Sequence, residues 1–329
     1  MKQLVLGNGR ARVEEVPEPK AEPGWAVIKV MALPLCGSDR GAFLMEAENR
    51  WAGHEGTGAI AETAGDSRFK PGDRVLISPQ GGCGACELCL LGDYIYCPDS
   101  PPTTSHYAQF VKKKEDILPL LPDDISFELG SLAGCGLSPG FSALERMGCG
   151  AFDTVLVSGL GPVGLGAVAV ASFRGARVLG VEPEPFRRNL ALELGADEVF
   201  DPACGGALGW VRRMTGGRGV SRAVDCCGKP EAERLCMDAA AVLGKVAFVG
   251  ENQSNIEVGP SKDFIRKGLT VIGTWHMNLL DFPKVLTLMR RKPQIEKMIT
   301  HAFPFERAQE AFETFLSGKT GKVLLKPFE

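Results

Sequence analysis

Val155-Leu-Val-Ser-Gly159-Leu-Gly161-Pro162-Val163-Gly164-Leu-Gly166 is the stretch whose reading decides the fold. An apolar, β-branched run enters a glycine-rich turn, and an Ala/Val/Gly-rich segment through Ala171 leaves it. That order describes a buried parallel strand, a tight loop and the start of a helix. Gly159 permits the sharp turn, Gly161 lets backbone approach a pyrophosphate, and Gly164 lets the helix pack on the strand. Pro162 and Val163 open the helix, so phosphates would sit at the positive end of its dipole. A second strand, residues 176–181, runs into Glu182, 23 residues beyond Gly159. A carboxylate there can accept hydrogen bonds from both hydroxyls of an adenosine ribose. A lone GxGxxG is weak evidence. With strand, helix and acid in register it reads as a dinucleotide site, a ligand-free βαβ unit being the plainer alternative.

At 329 residues the chain is too long for one ordinary core, so two domains are expected. A hydrophobic content of 44% with 23% charged residues describes a soluble globular protein. No run of 18 uncharged apolar residues is present, so no membrane span is expected, and the N-terminal apolar stretch is too short for a signal peptide. A net charge of −3, with no basic run, argues against a nucleic-acid surface. Eleven cysteines without a secretion signal point to a reducing, cytoplasmic compartment, where clustered thiols bind metal rather than pair.

Short strands and turns fill the first hundred residues. The β-rich run 25–32 follows the Glu22-Pro-Gly24 turn and delivers Cys36-Gly-Ser38-Asp39 at a strand end. Gly53-His54-Glu55 is delivered in the same way, ahead of the alternating strand from Gly58. Cys83, Cys86, Cys89 and Cys97 fall three, three and eight residues apart within the lobe 82–98. Four thiolates there can close a tetrahedral zinc shell with no open position. Apolar content in the lobe is slight, so metal would supply much of its folding free energy; disulfides or free surface thiols are the alternatives. After an expected strand at 107–111, Gly and Pro crowd residues 134–140, which marks a domain boundary near 136. From Thr154 strands and helices alternate: 154–158, 163–174, 177–181, 186–194, 222–226, 230–242 and 245–249, with a closing strand near 270–273. That is an α/β doubly wound parallel sheet. Amphipathic helices are expected at 279–289 and 305–316, and a terminal strand at 321–326.

The order of these motifs resembles the zinc-dependent medium-chain alcohol and polyol dehydrogenases over essentially the full length. The matching pieces are Cys36-Gly-Ser-Asp, Gly53-His-Glu, the four-cysteine lobe, Gly-Cys135-Gly-Leu-Ser-Pro-Gly, Gly159-Leu-Gly-Pro-Val-Gly and Gly-Lys322-Val. The resemblance implies a GroES-like β-rich catalytic domain, residues 1–136 and 272–329, interrupted by a Rossmann coenzyme domain at 137–271. It also implies that Cys36, His54 and Cys135 hold a catalytic zinc, with the fourth position open for water or alcohol; such a Cys₂His set is a known dehydrogenase arrangement. Taken alone, these residues are far apart in sequence, and a small buried cysteine or a core histidine reads equally well.

Zinc at such a site acts as a Lewis acid toward an alcohol, whose hydride passes to a nicotinamide. By the same resemblance Ser38 accepts the alcohol proton, Asp39 orients His54, Glu55 lies behind the metal, and Lys322 joins Arg187 among the coenzyme-binding residues. The local alternatives are a helix N-cap for Ser38 and a first-turn aspartate for Asp39. Two departures stand out. Gly41 occupies the place where many relatives carry a proton-relaying histidine, and His54 follows Cys36 by only 18 positions. The short loop between them, with Phe43, Met45 and Trp51, is expected to reshape the pocket.

The expected function is hydride transfer between NAD and a secondary alcohol or sugar polyol, in a homodimer or homotetramer carrying two zinc ions per chain. A primary-alcohol dehydrogenase or aldehyde reductase on the same scaffold is the alternative within enzymes. A nucleotide-sensing protein that lost the chemistry is the alternative outside them. NAD is favoured over NADP because Glu182 would repel a 2′-phosphate at short range, while Arg187 and Arg188 argue the other way.

Overall fold

The computed structural model describes residues 1–101 and 105–329. The chain forms two compact units: Met1–Cys135 with His276–Arg290 and Ile299–Glu329, and Gly136–Trp275 with Arg291–Met298. The sequence places the crossings after 136 and 271; the chain crosses after Cys135 and after Trp275. The strand Thr270–Gly273 therefore stays in the second unit, as the parallel partner of Ala240–Phe248. Residues 291–298, assigned to the first domain on sequence, also join the second unit. Ile295 and Met298 are buried, Lys292 Nζ donates to Ser172 Oγ at 3.0 Å, and Lys297 Nζ to Glu193 at 2.7 Å. Only tertiary contacts decide a membership of that kind.

In the first unit, strands Lys2–Gly7 and Arg10–Glu15 form a hairpin closed by Asn8 and Gly9, with φ values of 53° and 67°. Asn-Gly is the pair that tolerates two successive left-handed residues, which match the strand twist. The main sheet orders Ile299–Pro304, Lys322–Lys326, Trp25–Pro34, Gly56–Glu62 and Arg74–Ile77, with Phe110–Lys114 pairing on Trp25–Pro34. The strand expected at 107–111 thus begins three residues later. The central strand Trp25–Pro34 buries Ala26, Ile28, Val30 and Leu33 against Val111, Phe312 and Phe305. This packing holds the strand end that leads into Cys36 rigid.

The second unit carries a six-stranded parallel sheet in the order Thr270–Gly273, Ala240–Phe248, Val220–Asp225, Thr154–Ser158, Arg177–Val181, Glu198–Phe200. Val155, Leu156 and Val157 are fully buried, which explains their unalternating hydrophobicity. The helix expected over 230–242 ends at Ala239. Ala240 turns extended and pairs with Val220, and Leu243 takes φ 60°, so the apolar residues 240–243 begin a strand.

Within the first unit's core, Lys113 points inward at 1% exposure, and its Nζ has no hydrogen-bond partner among the described residues. Burial pushes its pKa down to about 7. In the unfolded chain a lysine stays protonated to about pH 10. Between about pH 7 and pH 10 the unfolded state therefore binds more protons, and this group's contribution to stability rises with pH. Lys113→Met is expected to raise stability at pH 7 by on the order of a few kcal/mol and to flatten that rise. Urea unfolding at pH 7 and pH 9.5 measures both; a variant as sensitive to pH as the parent would refute the assignment.

Candidate metal and coenzyme sites

The strand Trp25–Pro34 ends at Leu35, whose N–H is fixed by Val323 O at 2.9 Å, and Cys36 follows in a turn. Three residues on, Asp39 folds back, and its Oδ2 accepts the Cys36 N–H at 2.8 Å. The same oxygen accepts from the Tyr107 hydroxyl at 2.5 Å. The carboxylate expected to orient His54 is hydrogen-bonded to Cys36 and Tyr107, and it acts on the imidazole through charge. Ser38 occupies the N-cap of the helix Asp39–Leu44, yet its side chain makes no capping hydrogen bond and is exposed. Among the described residues, nothing lies within 4 Å of where a Gly41 Cβ would stand, so the missing histidine is not a steric exclusion there.

His54 is delivered by Gly53, whose φ of 84° and close approach to the Tyr107 ring exclude a side chain. Cys135 lies beyond the short helix Phe127–Ser131 and is buried. Ligand atoms of Cys36, His54, Glu55 and Cys135 all lie within 4.8 Å of one another, and the two sulfurs are 3.7 Å apart. A tetrahedral zinc with Zn–S bonds of about 2.3 Å asks for sulfurs roughly 3.8 Å apart, so these donors fit the ion. Their charges are interdependent. The Cys135 hydrogen bond holds the Cys36 thiol well below its usual pKa, while Cys135 is pushed up in return. Burial works to lower the His54 pKa, but the Cys36 sulfur and the Glu55 and Asp39 carboxylates outweigh it and raise it to about 9.

Beneath the set, Glu55 is fully buried against Lys322, with Nζ at 2.6 and 2.8 Å from its two oxygens. Lys322 also donates to Leu35 O at 3.1 Å. Burial raises the carboxyl pKa and the ammonium opposes that, whereas Glu55 and the thiols keep Lys322 charged. Lys322, expected among the coenzyme-binding residues, thus has its ammonium engaged by the group beside His54. Phe43, expected in the pocket, is buried and stacks on Phe312 at 4.9 Å, whereas Met45 and Trp51 are exposed. Sequence reasoning missed Tyr107 and His276. The His276 ring packs edge-on to His54 at 5.8 Å, on a backbone with φ 51°, and burial pushes its pKa down to about 4. No spacing rule links residues 54 and 276.

In the lobe, Cys83, Cys86, Cys89 and Cys97 also converge within 4.8 Å. Sulfur pairs Cys83–Cys89 and Cys86–Cys97 are 3.9 and 3.8 Å apart, and all four thiols are free. The Ala85 and Cys86 N–H groups donate to Cys83 Sγ, and they lower its pKa to about 6. Burial pushes the Cys89 thiol the other way, up to about 12, and the sulfur spacings match the tetrahedral edge of a closed zinc shell.

The second unit places the glycine loop as its spacing predicts. Gly159 adopts φ 86°, and a Cβ at Gly164 would stand 1.9 Å from Gly159 O. Gly161 caps the helix Pro162–Phe173 with no side-chain acceptor, and among the described residues Arg187 comes within 4 Å of its missing Cβ. Pro162 and Val163 occupy the first turn. Glu182 lies at the end of Arg177–Val181, where Oε2 accepts from Leu160 N at 2.8 Å and Oε1 from Glu184 N at 3.0 Å. Arg188 donates to the Glu182 and Pro183 carbonyls and pairs with Asp201 at 3.0 Å. The two arginines therefore differ: Arg188 braces the strand end, and Arg187 lies beside the loop.

Residues 22–123 match the alcohol dehydrogenase GroES-like domain and residues 162–291 the zinc-binding dehydrogenase domain. Sorbitol dehydrogenase of Bacillus subtilis is 31% identical across 99% of this chain and 97% of its own. L-threonine 3-dehydrogenase of Pyrococcus furiosus is 31% identical across 95% and 94%. The chain belongs to the zinc-dependent medium-chain alcohol and polyol dehydrogenases. Among solved structures, alcohol dehydrogenase TADH from Thermus sp. ATN1 superposes with a TM-score of 0.92 at 27% identity, covering 99% of both chains. This dehydrogenase is an oxidoreductase with a GroES-like and a Rossmann-type unit, and none of its described helices is long and apolar enough to cross a membrane.

The buried pair gives the site its first test. Lys322→Met leaves Glu55 buried without its counter-charge and is expected to cost about 3–5 kcal/mol. Adding Glu55→Gln should recover much of that loss. Urea unfolding of the parent, the single and the double variant measures it; a single variant as stable as the parent would show that the pair is not closed in solution.

Proposed function

We propose that this dehydrogenase oxidises secondary alcohols or sugar polyols with NAD, using one zinc at Cys36, His54 and Cys135 and a second at the four-cysteine lobe. The observation that carries the reading is the approach of the Cys36 and Cys135 sulfurs to 3.7 Å, with His54 in the same cluster. When bound there, zinc supplies the Lewis acidity that makes an alcohol hydroxyl acidic near neutral pH. Ser38 has an exposed hydroxyl not used in capping, two residues from Cys36, which suits it to take the alcohol proton. With glycine at 41, the onward route for that proton uses water or another group. Glu55 and Lys322 neutralise one another beneath the donors and hold the Cys36 turn through Leu35 O. A sorbitol and a threonine dehydrogenase among the relatives support a secondary-alcohol substrate. We further propose a cytoplasmic homodimer or homotetramer, in keeping with the free thiols.

For the coenzyme, Glu182 supports NAD: a carboxylate held by two backbone N–H groups at the end of the second strand would repel a 2′-phosphate bound there. Arg188 is committed to carbonyls and Asp201, which removes one of the two groups that would favour NADP. Arg187, whose Nη1 lies 3.9 Å from where a Gly161 Cβ would stand, suits a role at the pyrophosphate.

Elemental analysis is expected to find two zinc ions per chain after zinc-replete expression. Cys89→Ser should remove one of them and lower solubility, because the lobe loses its closed shell. One zinc in the parent would overturn the two-site reading. A panel of monohydric alcohols, polyols and hydroxy-amino acids, assayed with NAD and NADP, tests the substrate and coenzyme together. NAD with a secondary alcohol should give the highest kcat/KM, and Glu182→Ala should narrow the coenzyme ratio. An unmoved ratio would remove Glu182 from the ribose, and activity confined to primary alcohols would favour the alternative enzyme.

A further inference from the structure

Tyr107 is fully buried, and its carbonyl is fixed by the Leu4 N–H at 2.8 Å. Its ring meets two aromatic neighbours in series: Phe312 edge-on at 5.9 Å, itself stacked on Phe43 of the helix Asp39–Leu44. Ring and hydroxyl touch different loops. The ring closes on Gly53, where a Cβ would stand 3.0 Å from ring carbons, so it bears on the residue directly before His54. The hydroxyl donates to Asp39 Oδ2 at 2.5 Å, and that oxygen also takes the Cys36 N–H at 2.8 Å. One side chain thus contacts the backbone before one metal-site donor and, through a single carboxylate oxygen, the backbone of another. A phenylalanine would fill the same space in the core but could not hold Asp39.

We propose that Tyr107 is a positioning residue for the metal site, setting the Asp39 carboxylate that holds the Cys36 main chain and limiting the swing of the Gly53-His54 turn. The proposal rests on the zinc reading of Cys36, His54 and Cys135. Groups that orient ligands in this way are worth on the order of 10–100-fold in metal affinity. The physical reason is geometric. Lys322 also bridges the two loops, from Leu35 O to Glu55, but Tyr107 is the side chain that bears on Gly53 and, through Asp39, on the Cys36 N–H.

Tyr107→Phe tests this in the full-length protein loaded with zinc, because the ring and its packing are retained. In competition with a fluorescent chelator, the zinc at Cys36, His54 and Cys135 should be lost about 10–100-fold more readily, while the lobe zinc stays as in the parent. Cobalt substituted at the first site should show a displaced visible ligand-field band. kcat should fall while KM for NAD is unchanged. Asp39→Ala should weaken zinc comparably, and Tyr107→Phe should add little in that background, since both act through one oxygen. Parental affinity and cobalt spectrum in Tyr107→Phe would overturn the proposal, as would additive losses in the double variant. Should Tyr107→Phe fail to fold even with zinc, the residue's role is packing and the proposal also falls. A parent that retains zinc only at the lobe would instead overturn the zinc reading itself, and the proposal with it.

Discussion

The buried ion pair of Glu55 and Lys322 is the interaction on which the rest of the first unit depends. An isolated charge in that interior would be prohibitively costly, and two charges are tolerated only because the ammonium lies 2.6 and 2.8 Å from both carboxylate oxygens. The pair also settles topology. Lys322 begins the strand Lys322–Lys326, Glu55 follows His54, and the third lysine bond goes to Leu35 beside Cys36. Residues 35, 55 and 322 are thereby held at one point, although hundreds of residues and a whole second unit separate the last from the others. Return of the chain end to the first unit also buries Val323, Leu324 and Leu325 in its sheet.

Above the pair the problem is accumulation of negative charge. Cys36, Cys135 and Asp39 crowd one small volume, and the sulfurs divide one proton unequally, so that one thiol is driven down and the other up. The crowded charge draws protons to His54 and Cys135, whose pKa values it raises. A dication answers it better: two thiolates, one neutral imidazole and one zinc sum to zero. The lobe solves a related problem differently. It has few apolar residues to bury, so N–H donors to sulfur and the convergence of four thiols replace a core.

In the second unit the governing constraint is close approach. Gly164 would collide with Gly159 O, and Gly166 with Gly136 O at 2.0 Å, if either carried a side chain. The helix can therefore sit low on the sheet and aim its N-terminus at the loop. Glu182 then ties loop to strand by taking N–H groups from Leu160 and Glu184, which fixes the carboxylate at the sheet's C-terminal edge.

What was legible in the sequence was local or repetitive: the glycine loop, the cysteine spacing, the alternation of strands and helices, and the family resemblance carried by motif order. Those features depend on backbone geometry within a few residues, so the residue types themselves report them. Domain membership of 291–298, the end of the helix at Ala239 and the core position of Phe43 depend on what packs against each segment. The same holds for the engagement of Lys322 by Glu55, the Tyr107–Asp39 bond and the approach of His276 to His54. Each joins residues tens to hundreds of positions apart, and no periodicity or spacing encodes such a meeting. Burial and charge compensation decide it, and they act only once the chain has folded.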